Sequence, residues 1–105
     1  MKIKYEIWQL PPSSPNKFKH YDWCKTPIRV VDYVMVYAGN IKSEFSTEET
    51  LEMIFELLNI NHPYDYHVAS LSVSDVVCLI DGNNKRSWWY VDGMGFKKLA
   101  EEFEV

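Results

Sequence analysis

The sequence predicts an α+β fold: a small, mostly antiparallel sheet with one main helix packed on it. Three stretches predict it. "KIKYEIWQL" alternates in polarity, "STEETLEMIFELLN" couples a helix cap to an apolar stripe, and "VVCLID" and "RSWWYVD" are β-rich runs joined by "GNNK". The chain of 105 residues suits one domain, 1–105, with a core of its own. Hydrophobic residues at 47% and charged residues at 25% are ordinary globular usage, so the 15% aromatic share stands out. Large rings fill a small core efficiently and also dominate interface hot spots.

From Lys2 to Leu10, Ile3, Tyr5 and Ile7 point to one face and Lys4, Glu6 and Trp8 to the other, as in a half-buried strand. "PPSSPNK" ends it, because proline lacks an amide donor and fixes its own backbone. Phe18 to Lys25 reads as a helical turn packing Phe18, Tyr21 and Trp23. β-Branched and aromatic residues predict a second strand from Val30 to Tyr37, ending at Gly39. Ser46 with Glu49 three residues on matches a capping box. Behind it Leu51, Ile54, Phe55 and Leu58 recur at i, i+3, i+4 and i+7, the core stripe of a helix. Asn59 and Pro63 mark its exit, and "PYDYHVA" is loop. Val76 to Asp81 and Arg86 to Asp92 are strands joined by a hairpin turn. Phe96, Leu99, Ala100 and Phe103 stand at helical spacing and predict a closing helix, although its lysines precede its acids, against the helix dipole.

"YEIWQL", "VDYVMVYAGNI", "LEMIFELLN", "HPYDYHVASLSVSDVV" and "YVDGMGF" occur in an order that resembles the YodL-like domain family, almost end to end. Ser70 to Val77 is the most specific piece, and Val68-Ala69 departs from the glycine expected before the first serine. The resemblance implies a fold and a setting in phages and mobile elements, often near anti-restriction genes. It implies no reaction.

Ser72, Ser74 and Asp75 have the residue types of a nucleophile and its helper, but no histidine is placed to act as base. Serine and aspartate also bond nearby amides, so a structural lead-in to the strand "VVCLI" is the favoured reading. His20, Cys24, His62 and His67 lack the close pairing of a zinc site, so neither metal nor cofactor is expected. Asp81, Asn83 and Asp92 fall at calcium-loop positions, but Lys85 and the bulky rings between them defeat that reading.

Glu48, Glu49, Glu52 and Glu56 fall on one flank of the helix with no lysine or arginine three or four residues away. A solvated face is the plain reading; a surface for a basic partner is the functional one. Trp88 and Trp89, beside Lys85, Arg86 and Tyr90, are further interface candidates. The net charge of −4 argues against direct nucleic-acid binding. No apolar run reaches membrane-span length and no signal peptide opens the chain, so a cytoplasmic protein with Cys24 and Cys78 reduced is expected, with no membrane partner. The residues and the resemblance together lead to a non-enzymatic binding protein of a phage or mobile element. It would inhibit a host defence protein with a basic nucleic-acid channel, a CRISPR effector or a restriction enzyme. The alternative is a nucleic-acid-associated accessory domain using Lys85 to Tyr90.

Overall fold

A computed structural model of the chain describes residues 2–24, 28–42, 46–60, 63–67 and 70–99. The elements run β1 (Lys2–Gln9), 3-10 turns at Tyr21–Trp23 and Val30–Asp32, β2 (Val34–Lys42), α1 (Thr47–Ile60), β3 (Val76–Ile80), β4 (Arg86–Asp92) and β5 (Gly95–Lys98). The strands form one sheet in the order β2-β1-β3-β4-β5, and every neighbouring pair is antiparallel. The α+β fold with one helix is the one the sequence predicts.

Both faces of this sheet are covered. Tyr5, Ile7, Val77, Leu79 and Val91 pack beneath Leu51, Ile54 and Leu58 of α1. Val76, Cys78, Ile80, Trp88 and Tyr90 pack on the other face with Tyr33 and Leu10, joined by Tyr21, Cys24, Ile28 and Val30 of the β1–β2 connection. Two-sided burial explains "VVCLI": all five residues of the middle strand are buried, so no polar alternation appears.

α1 begins with Ser46 as its N-cap, bonded to Glu49 through both the amide and the side chain. Ser46 Oγ accepts from the Glu49 amide at 3.3 Å and donates to Glu49 Oε1 at 3.0 Å. At the other end the Asn59 side chain accepts from the Leu71 amide and donates to the Leu71 carbonyl, both at 2.7 Å. The helix exit is thereby clamped to the segment that leads into β3.

Four expectations need correction. The second strand runs Val34–Lys42, with Val30–Asp32 forming a 3-10 turn, so Gly39 lies inside the strand. It faces Tyr5, and a Cβ there would come within 2.6 Å of the Tyr5 hydroxyl; glycine makes room for the ring. The closing helix is replaced from Gly95 to Lys98 by β5, while Ala100 and Phe103 lie outside the described residues. Gly95 turns the chain back at φ +126°, a conformation side chains disfavour, and pairing with β4 overrides the helical spacing. Phe18 and Trp23 are exposed; of the three rings expected to pack there, Tyr21 alone does so. Phe55 likewise stands at the exposed edge of α1 rather than in its buried stripe.

Candidate functional site

The signature serines and Asp75 build a structural junction. The Asp75 amide bonds the Ser72 carbonyl at 3.1 Å, making a turn, and Asp75 Oδ2 accepts from the Ser72 amide at 2.9 Å and from Gln9 Nε2 at 3.2 Å. Oδ1 accepts no hydrogen bond among the described residues and faces the Lys17 ammonium at 3.6 Å. Withdrawal from water pushes the Asp75 carboxyl up to about 6, against the Ser72 amide, Lys17 and Gln9, which pull it down. Ser74, buried with φ +86°, is held by its amide on the Val91 carbonyl, its Oγ under the Phe18 amide and its carbonyl under the Tyr33 hydroxyl. Chain segments 56 and 66 residues apart in sequence meet here. Lys17 and Gln9 were invisible to the sequence reading, because nothing local marks them as partners of Asp75.

The aromatic candidates separate by face. Trp88 is buried in the second cluster, edge-on to Trp8 at 5.5 Å, and so offers no free face. Trp89, on the helix face, is half-buried and donates from Nε1 to Ser87 Oγ at 2.9 Å. Tyr90 is fully buried, its hydroxyl donating to the Lys19 carbonyl at 2.9 Å, and burial drives its pKa upward. Arg86 is tied to Glu6 at 2.7 Å.

Glu48, Glu49, Glu52 and Glu56 are all exposed on α1, and among the described residues none joins an ion pair. Beside this flank lies a cleft of about 240 Å³ between α1 and the β4–β5 turn. Glu52 and Phe55 form one wall, Phe96 the other, and Val91, Gly93 and Gly95 complete it. Phe55 and Phe96 meet edge-to-face at 6.4 Å. Asp92 also lines it, but its Oδ1 is committed to the Tyr21 and Gly93 amides and to His20. The acidic flank is legible in the sequence but the cleft is not, because helical spacing assigns Phe55 to the core stripe and Phe96 to a helix.

Asp81 Oδ1 accepts from the Asn83 and Lys85 amides at 2.8 and 3.0 Å, so the acid at the hairpin tip shapes the turn. Among the described residues no three His, Cys, Asp or Glu side chains converge on a metal-sized space; His62 lies outside them. No helix among the described residues is long and apolar enough to cross a membrane.

Residues 4–103 match a family model described as YodL-like domain, nearly the whole chain. No curated protein and no solved structure matches it.

Proposed function

The chain belongs to the YodL-like domain family, and from that premise we propose that it is a non-catalytic binding module that meets a basic protein through the acidic flank of α1. One observation carries this reading: Glu48, Glu49, Glu52 and Glu56 are exposed together on one flank of α1 without a neutralising cation among the described residues. Unpaired like charges at i, i+4 cost a helix about 0.2–0.5 kcal/mol each, and a cationic partner offsets that cost on binding. Such a surface raises the association rate of an oppositely charged partner. The partner class is a host defence protein, a CRISPR effector or restriction enzyme, whose basic nucleic-acid channel the flank would occupy in the cytoplasm of a bacterial cell. The alternative, an accessory domain gripping nucleic acid through Lys85 to Tyr90, has less to work with, since Trp88 and Tyr90 are buried and Arg86 is paired.

The test is DNA cleavage by a panel of purified restriction enzymes and CRISPR effectors with the protein added, followed by binding kinetics on any enzyme inhibited. The wild type should inhibit at least one enzyme, and its association rate should fall as salt rises. Glu52→Lys/Glu56→Lys should remain folded and lose inhibition. Equal inhibition by wild type and double variant at every salt would reduce the flank to a solvated surface.

A further inference from the structure

Beside the charged flank, the cleft between α1 and the β4–β5 turn has the chemistry of a side-chain socket. Its volume of about 240 Å³ lies below the roughly 300 Å³ at which small-molecule pockets begin, so it suits one long side chain rather than a cofactor. Its walls are aromatic, Phe55 against Phe96, with Val91 behind them. Gly95 brings backbone instead of a side chain to the space, and a Cβ there would meet nothing within 4 Å, whereas Gly93 makes room for the His20 ring. Among the described residues Glu52 joins no ion pair, whereas Oδ1 of Asp92, the other carboxylate on the lining, is held by two backbone amides and His20.

We propose that this cleft receives an arginine side chain of the basic protein partner. Its methylene stem would lie along Phe55 and Phe96, with its guanidinium on Glu52. Arginine fits better than lysine because a planar, weakly hydrated guanidinium stacks on rings and pairs with a carboxylate through two parallel bonds. A purely apolar side chain would leave Glu52 unused at the rim, and an acidic one would meet repulsion from Glu48, Glu52 and Glu56. The proposal rests on the acidic-flank reading and adds to it the anchor residue and its seat.

The experiment is a set of NMR titrations of the full chain with three capped single residues, N-acetyl-arginine amide, N-acetyl-lysine amide and N-acetyl-norleucine amide. A tetralysine peptide serves as a probe of the flank alone. The arginine probe should shift the amides of Glu52, Gly93 and Phe96 saturably, and more tightly than the lysine or norleucine probe. Glu52→Gln, an exposed change, should weaken it roughly fivefold, as should Phe96→Leu in a chain whose spectrum remains folded. Equal affinity for norleucine, or indifference to Glu52→Gln, would overturn the socket. If tetralysine shifts Glu48 and Glu56 while the arginine probe leaves the cleft unmoved, the socket fails and the acidic flank stands. If neither probe shifts the protein, both fail.

Discussion

Asp75 carries a carboxylate out of water and holds it with one amide, one glutamine and one ammonium, leaving Oδ1 with the ion pair alone. Its folded pKa of about 6 lies above the ordinary value of 3.8, so between those values the folded protein binds more protons than the unfolded chain. The resulting stability is fully present below pH 3.8 and is lost as pH rises through about 6, a change of about 2–3 kcal/mol. Subtracting the stability-pH curve of Asp75→Asn from that of the wild type should isolate this downward slope; a flat difference between pH 4 and 6 would show that burial does not outweigh the Ser72 amide, Lys17 and Gln9. Asp75→Ala goes further. It strands the Ser72 amide and Lys17 but also removes the desolvated charge, so chemical denaturation should show a loss of about 1–2 kcal/mol at neutral pH and a larger one at pH 4. Activity lost with an unchanged unfolding curve would make Asp75 functional rather than structural. The sequence read Ser72, Ser74 and Asp75 as a lead-in to a strand because short polar side chains bond nearby amides. It could not name Lys17 and Gln9, whose meeting with Asp75 depends on the complete fold.

Legibility at the level of elements followed how local each cause was. Ser46 and Glu49 are both within one helical turn, so the capping box was visible from spacing alone. β3 was visible because burial on two faces leaves an unbroken apolar run. β5 was not, because Phe96 and Leu99 are compatible with helical spacing, and pairing with β4 decides the matter. Gly39 misled for a similar reason: a glycine reads as a strand end until the Tyr5 ring opposite it is known. Asn59 was read as a helix stop, whereas its amide also closes two 2.7 Å bonds on Leu71, the geometry of a short ladder built from a side chain. Asn59→Ala removes both bonds, each with a net value of about 1 kcal/mol, and should lower stability by about 2 kcal/mol without changing the denaturant slope. Amide exchange at Leu71 should accelerate in the same variant. Unchanged exchange there would show that the clamp does not hold the approach to β3.

Across the whole molecule the sheet acts as the middle layer, with α1 on one face and the β1–β2 connection on the other. The sequence made the first layer evident through the helix stripe. The second was hidden, since an irregular segment with prolines has no period from which a buried face can be read. This layering grades stability from the centre outward. β3 has a strand on each side and is covered above and below, so exposing its amides requires most of the core to open. β5 is a four-residue edge whose Lys97 and Lys98 are exposed, charged side chains that discourage pairing with another sheet. β2, at the other edge, leaves Val34 and Met35 largely exposed. Native-state hydrogen exchange should therefore place Val76–Ile80 in the slowest class, opening only with global unfolding, and the β5 amides in a faster one. The functional proposals depend on this gradient: Glu52 stands on a helix anchored to the core, while Phe96 belongs to the edge strand that forms the cleft's other wall. An arginine probe that fills the cleft should slow exchange in β5 without changing β3. Should β5 already exchange as slowly as β3 in the free protein, the cleft is walled by the rigid core, and ligand binding should leave the exchange pattern unaltered.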